Sequence, residues 1–314
     1  MNDPETRAGF VAVIGAPNAG KSTLVNRLVG SKVSIVSRKV QTTRFPVRGL
    51  AIQDETQMVL VDTPGIFRPR RRLDRAMVRA AWGGAEGADA IVHIIDAEAH
   101  GRVESGKAQA ADRLAVGDSS AIAQGLRANA RTALLVLNKV DRLRKDALLG
   151  ITERLFDASL HAAVFMISAL NGAGVEDLKR AIAEAMPEGP WLYPADQSAD
   201  LPARLLAAEI TREKLYDRLH QELPYSAAVE TTAFDERADG SVRIEQTLYV
   251  ERDSQRAIAL GRGGATLKAI GQAARLELAD LLGCPVHLFL HVKVDERWSE
   301  DRRFYGEVGL DFDA

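Results

Sequence analysis

Apolar positions in the first 186 residues fall into runs of strand length separated by helical patterns. The runs begin at Phe10, Val47, Met58, Ala90, Ala133 and Ala163, and stretches between them, such as Thr23 to Val29, are amphipathic at helical spacing. This alternation predicts an α/β fold: a doubly wound, mixed but mostly parallel sheet with helices on both faces and ligand loops at the strand carboxyl ends. After Met186 the periodicity stops. Pro187 to Pro194 places three prolines in eight residues, which no helix can continue. From Leu201 the order changes to a helix (Leu205 to Leu219), two strands (Ala227 to Phe234 and Val242 to Val250), two helices and a strand. The expected division is a first domain over 1–187, a linker over 188–200 and a smaller α+β domain over 201–314. The stretch His100 to Ala130, rich in Ala, Gly, Ser and charge, is longer than the first domain needs and is expected as an extra helix or a mobile loop.

Composition narrows the class. The chain has 314 residues, enough for two domains, with the apolar and charged content of a soluble globular protein. No stretch approaches the eighteen or so uncharged apolar residues of a membrane span, and Met1 to Glu5 lacks the order of a signal peptide, so a cytoplasmic location is expected. Cys284 is the only cysteine. An internal disulfide and a cysteine metal cluster are therefore excluded.

Candidate chemistry sits where the strand runs end. Gly15, Ala16, Pro17, Asn18, Ala19, Gly20, Lys21 and Ser22 spell Gly-x-x-x-x-Gly-Lys-Ser, after an apolar run and, with Thr23, at the opening of a helix. Such a loop turns backbone N–H groups onto α- and β-phosphates, brings Lys21 to the β/γ oxygens and offers the Ser22 hydroxyl to Mg2+. The run from Met58 to Val61 ends in Asp62, Thr63, Pro64, Gly65 and Ile66. Asp62 can hold Mg2+ directly or through water, and the Gly65 N–H can meet a γ-phosphate, which makes this segment a candidate switch. Upstream, a Thr in Gln41 to Arg44 can complete the Mg2+ shell; Thr43 is preferred and Thr42 is the competitor. The run from Ala133 ends in Asn138, Lys139, Val140 and Asp141. A carboxylate at Asp141 accepts from the N1–H and 2-amino groups of guanine, donors that adenine lacks, so the nucleotide is expected to be GTP or GDP. Ser168, Ala169 and Leu170 close the set behind the guanine ring.

These stretches, in this order, resemble the GTPase domain shared by translation factors, small GTPases and ribosome-assembly GTPases. Arg38 to Arg44, Asp62 to Ile66 and Arg68 to Leu73 narrow the resemblance to the Era family, bacterial GTPases that end in a KH domain. The resemblance implies hydrolysis of GTP to GDP and phosphate, with Lys21, Thr43, Asp62 and Gly65 as the catalytic set and Ser22, Thr43 and Asp62 on Mg2+. Ile66 stands where many small GTPases carry a water-orienting glutamine, so unassisted hydrolysis is expected to be slow, on the order of 10⁻³ s⁻¹ or less. Relatives with an Asn at the Asn18 place use K+ in lieu of an arginine finger, which implies K+ near Asn18.

The second half has the element order of a type II KH domain, with Gly261, Arg262, Gly263 and Gly264 as the Gly-x-x-Gly loop that brings backbone against nucleic-acid phosphates. Lys268 and Arg275 follow it on the next helix. His287 and His291 alternate with apolar residues at strand spacing, which is not the helical spacing of a zinc site; they read as a solvated or RNA-facing strand face. From Ala195 onward there are 15 Lys and Arg against 22 Asp and Glu, a net of −7, so a broad basic footprint is missing and few phosphate contacts are expected. The family implies a monomer that binds the 3′ end of small-subunit ribosomal RNA and assists small ribosomal subunit maturation. The arginine run Arg68 to Arg72 is open to three readings: RNA, peripheral contact at the inner face of the cell membrane, or solvent. Two rivals remain at this stage: a GTPase acting mainly on a membrane or protein partner, and a small-molecule phosphotransferase.

Overall fold

A computed structural model describes residues 6–37, 39–219 and 223–314; Arg38, in the run that carries the resemblance, lies outside them. Two compact units result. The first comprises the chain through Asp200 together with Leu310–Ala314, and the second is Leu201–Gly309.

The first unit is a seven-stranded sheet. Its strands are β1 (Arg7–Gly15), β2 (Val47–Gln53), β3 (Thr56–Asp62), β4 (Ala90–Asp96), β5 (Ala133–Asn138), β6 (His161–Met166) and β7 (Ala199–Asp200), ordered β6-β5-β4-β1-β3-β2-β7. The pairs β1·β3, β1·β4, β4·β5 and β5·β6 are parallel, while β2 runs antiparallel to β3 and β7 antiparallel to β2. Every residue of β3 is buried, as is most of β1, which is the signature of strands covered on both faces. On one face α1 (Lys21–Val29) and α6 (Val175–Glu184) pack Leu24, Leu28, Leu178 and Ile182 against Val11, Val13, Val92 and Ile94. On the other, α2 (Arg72–Glu86) and α4 (Ala110–Ala128) pack Ala81, Ala85, Ile122 and Leu126 against Ala12, Ile14 and Ile91. There too α5 (Lys145–Leu155) covers β5 through Leu148 and Ile151.

Three expectations change. His100 to Ala130 is helix and not a mobile loop, but the helix is not extra: the stretch holds the end of α3 (Ala97–Glu104) and all of α4, whose Ile122 and Leu126 are fully buried. Parallel β4 and β5 need a crossover, and its small residues concealed that this helix serves as one, burying only a narrow stripe. Residues 188–200 are likewise no free linker. The Ala8 N–H donates to Pro187 O, the Gly189 N–H to Thr6 O, and the Trp191 Nε1–H to Glu55 O, and the stretch ends as β7 beside β2. At the other end, Leu310–Ala314 belongs to the first unit: the Arg75 Nε–H donates to Ala314 O and Asp311 pairs with Arg79 at 3.0 Å.

The second unit runs α7 (Ala203–Arg218), β8 (Ala227–Glu236), β9 (Val242–Val250), α8 (Asp253–Leu260), α9 (Ala265–Leu282), β10 (Val286–Val294) and α10 (Arg302–Glu307), with sheet order β10-β9-β8. β8 and β9 form the expected hairpin, and β10 adds to β9 in parallel. Strict alternation along β9 turns Ile244, Leu248 and Val250 to the helices and Arg243, Glu245, Thr247 and Tyr249 the other way.

One buried feature of the first sheet sets its acid limit. His93, in the middle of β4, is 1% exposed, and neither ring nitrogen has a hydrogen-bond partner among the described residues. Burial, helped by the neighbouring His161 and His100, pushes its pKa down to about 3. Above pH 6.5 the ring is neutral folded and unfolded. Below it the unfolded chain binds a proton that folded His93 refuses, so stability falls by up to about 1.4 kcal/mol per pH unit between 6.5 and 3. His93→Leu is expected to flatten the acid limb of a urea-unfolding series from about pH 7 to about 4; an unchanged slope would show that His93 does not set it.

Candidate functional site

The parallel strands carry the loops to one edge. Register pairs Val13 with Asp62, Gly15 with Ile94, Asp96 with Asn138 and Leu137 with Met166, so the carboxyl ends of β1, β3, β4, β5 and β6 lie together. Strand order reverses at β1, the place where α/β sheets open a ligand crevice.

The phosphate loop spans this crevice between β1 and α1. Lys21 is buried, and its ammonium donates to Gly15 O at 3.2 Å and Ala16 O at 2.9 Å. Burial lowers its pKa from 10.5 to about 8, against the opposing pull of Asp62. Asn18 sits at φ 63° and Gly20 at φ 103°. Gly20 has no alternative, because a Cβ there would come 2.2 Å from the Asn138 side chain.

The three expected metal donors converge. Ser22 Oγ donates to Asp62 Oδ2 at 2.7 Å, lies 2.9 Å from Thr43 Oγ1, and Thr43 Oγ1 reaches the same carboxylate oxygen at 3.3 Å. Asp62 is fully buried and its Oδ1 has no hydrogen-bond partner among the described residues. Burial pushes this carboxyl up, more than Ser22 and Lys21 pull it down. An orphaned carboxylate oxygen beside two hydroxyls suits a hard divalent cation that takes oxygen ligands. Thr43, not Thr42, is brought in: the Thr42 hydroxyl donates to Lys39 O within its own loop.

The candidate switch, Asp62 to Ile66, touches the phosphate loop. The Ile66 N–H donates to Gly15 O at 3.1 Å, the Thr63 hydroxyl donates to Val13 O, and a Cβ on Gly65 would lie 2.9 Å from Pro17. Ile66 is itself buried in the α2 and α4 face of the sheet, so its side chain does not face the crevice as a water-orienting group.

Asn138 braces three loops at once. Its Nδ2–H donates to Ala19 O at 2.8 Å and its Oδ1 accepts from the Ala169 N–H at 2.9 Å. Lys139, at φ 66°, places its ammonium 2.5 Å from Asp96 Oδ2. Asp141 lies on the turn just beyond, with Arg142 at 3.5 Å. Ser168 and Ala169 are buried, whereas Leu170 is exposed. Three supporting residues had no motif to mark them: Asp96, Arg27, which donates to Ala169 O and Leu170 O, and Asn26, whose amide ties Val33 and Ser34, upstream of Gln41 to Arg44, to α1. Only Asp96, at the end of an apolar run, had a positional signal.

In the second unit Gly261 to Gly264 joins α8 to α9, with Gly261, Gly263 and Gly264 all at positive φ. A Cβ on Gly261 would collide with Thr266 Oγ1 at 2.1 Å. Beside the loop lies an open groove of about 710 Å³ lined by Gly264, Lys268, Arg275, Gln272, Leu288 and Leu290, among others. Lys268, Gln272 and Arg275 are spaced i, i+4, i+7 on one exposed face of α9. The spacing from Lys268 would have found Gln272. Leu288 and Leu290 lie on β10, the expected last strand, and only the fold brings them to the groove.

This arrangement defines a P-loop GTPase followed by a KH module. Residues 10–139 match the family described as 50S ribosome-binding GTPase, and residues 222–299 match the KH domain family. The chain is 63% identical over 310 residues to GTPase Era of Caulobacter vibrioides, covering 99% of this chain and 98% of that one, and 57% identical over its whole length to GTPase Era of Maricaulis maris. It belongs to the Era family of GTPases. A crystal structure of a point variant of Aquifex aeolicus Era bound to GDP and AlF4⁻ superposes with a TM-score of 0.84 at 36% identity, covering 97% and 99% of the two chains. Another Era, in complex with MgGDPNP and nucleotides 1506–1542 of 16S ribosomal RNA, matches with a TM-score of 0.85 at 35% identity and the same coverage. Among the described residues no helix is long and apolar enough to cross a membrane.

Lys21 gives a pH-dependent outcome. Between about pH 8 and 10.5 the free protein carries the neutral amine, so GDP binding in EDTA is expected to take up a proton and to weaken as pH rises through 8. Calorimetry in two buffers of different ionisation enthalpy reads that uptake directly; equal heats at about pH 9 would contradict it.

Proposed function

We propose that the chain is a GTP-driven switch that binds the 3′ end of small-subunit ribosomal RNA and assists maturation of the small ribosomal subunit. The carrying observation is the pairing of a complete crevice in the first unit with a groove in the second. Support comes from the full-length relative in complex with a 16S fragment.

In the crevice, Ser22, Thr43 and Asp62 would hold Mg2+, which neutralises charge on the β- and γ-phosphates. Lys21 carries a point charge to the β/γ oxygens, and the N–H groups of Gly15 to Thr23 cradle the phosphates. The Gly65 N–H meets the γ-phosphate, so Thr43 and Gly65 tie both switches to the triphosphate and release them with it. Asp141 reads guanine, Lys139 lies along the base, and Ser168, Ala169 and Leu170 back the ring. With Ile66 packed into the core, no side chain there orients water. Hydrolysis then stays at or below roughly 10⁻³ s⁻¹ unless a partner, or K+ held by Asn18, stabilises the developing charge. In the groove, Gly261 to Gly264 clamps backbone while Arg262, Lys268 and Arg275 meet phosphates and about four single-stranded bases are read by their edges.

Thr43→Ala is expected to weaken Mg2+-dependent binding of a non-hydrolysable GTP analogue at least tenfold and leave GDP binding within twofold, with Thr42→Ala near wild type in both. Fluorescent-nucleotide titration distinguishes them, and the reverse ranking would hand the metal to Thr42. Replacing K+ by Na+ is expected to slow GTPase turnover; an unchanged rate removes K+ from Asn18. Binding of a 3′-end ribosomal RNA oligonucleotide is expected to be tighter with the GTP analogue than with GDP and to be lost in Gly263→Asp, a position where nothing lies within 4 Å of an added Cβ. No binding in either nucleotide state would leave the GTPase standing and shift its target to a protein or a membrane surface.

A further inference from the structure

The open face of the second unit's sheet is not used by the groove. We propose that the outward row of β10, centred on Phe289, is a second single-stranded RNA contact that receives the nucleotides running beyond the groove; this rests on the groove being the RNA clamp.

β10 is the edge strand of its sheet. Its inward residues Leu288 and Leu290 line the groove. The alternate residues His287, Phe289, His291 and Lys293 point to the opposite face and are exposed. Phe289 leaves 46% of its surface in water in mid-strand, where a polar residue would cost nothing. An exposed aromatic between two imidazoles, with an ammonium two positions on, is the pattern that stacks bases while cations meet the backbone. The row carries no carboxylate of its own. On the neighbouring β9, register sets Arg243 beside His287, Glu245 beside Phe289, Thr247 beside His291 and Tyr249 beside Lys293. The Arg243 guanidinium lies 5.3 Å from the Phe289 ring centroid and the Lys293 ammonium 5.5 Å from that of Tyr249. Glu245, directly beside Phe289, and Asp235 both engage Arg243, and Glu230 accepts from the Tyr249 hydroxyl, so the carboxylates next to the row are ion-paired or hydrogen-bonded. One strand thus has the groove on one side and the stacking row on the other. An RNA longer than the groove meets the row as soon as it crosses the edge.

The test is equilibrium binding of the full-length protein, with the GTP analogue bound, to two RNAs that share the same groove sequence: one of about four nucleotides and one of about ten. Phe289→Ala is expected to weaken the longer RNA about tenfold and leave the shorter unchanged. Phe289→Trp, which keeps a stacking ring on the same exposed site, is expected to keep wild-type affinity for both, and His287→Ala with His291→Ala to weaken only the longer. Equal affinities of wild type and Phe289→Ala for the longer RNA would overturn the proposal, as would an equal loss for both RNAs, which would mean damage to the groove through β10. Length-independent RNA binding together with Phe289-dependent sedimentation on phosphatidylglycerol vesicles would overturn it in favour of a lipid surface. Failure of the wild type to bind even the shorter RNA is a different result, and it would fall on the clamp itself.

Discussion

One side-chain amide holds the nucleotide crevice together. Asn138 donates to the phosphate loop at Ala19 O and accepts from the base-side loop at Ala169 N–H, so the ends of β1, β5 and β6 are fixed by two hydrogen bonds inside a buried site. Buried polar networks of this kind are costly to leave half made, which is why the geometry around the amide is so exclusive. The amide leaves no room for a Cβ at Gly20, and Gly20 in turn sets the left-handed step from which α1 begins. Phosphate and base contacts are thereby held in one frame, so a ligand that satisfies one end finds the other already placed.

The metal corner works by the opposite logic. Ser22, Thr43 and Asp62 already satisfy one carboxylate oxygen and leave the other bare, so the site is preorganised and electrostatically incomplete. Its unpaired oxygen would be stabilised by a divalent cation arriving with the phosphates. The loop holding Gln41 to Arg44 is drawn to that corner through Thr43, while Asn26 anchors the chain upstream of it on α1.

Much of this was legible because the chemistry is local. Phosphate-loop, switch and base-reading residues lie within short segments at strand ends, and buried parallel strands announce themselves as continuous apolar runs. The misreadings share a different cause. The α4 helix buries few large residues, so its composition left an extra helix and a mobile loop both open and hid its place in the core. Residues 188–200 bond through backbone groups, Trp191 and Gln57, and proline content alone suggested a free linker. Arg27, Leu288 and Leu290 matter only through partners distant in sequence, and spacing along one chain does not show those partners; Asp96 alone was marked, by its place at the end of an apolar run.

The short strand β7 gives the linker a mechanical character. Ala199 and Asp200 pair with Gly49 and Arg48, Arg48 bridges Asp200 at 3.1 Å, and the Tyr193 hydroxyl donates to the same carboxylate. β2, on its other side, is in register with Asp62 through Val47. The polypeptide therefore leaves the first unit from β7, paired to β2, and β2 in turn lies beside Asp62 and begins four residues after Thr43. The last residues of the first unit are thus a seam stitched into its own sheet, held as a strand is and not as a coil.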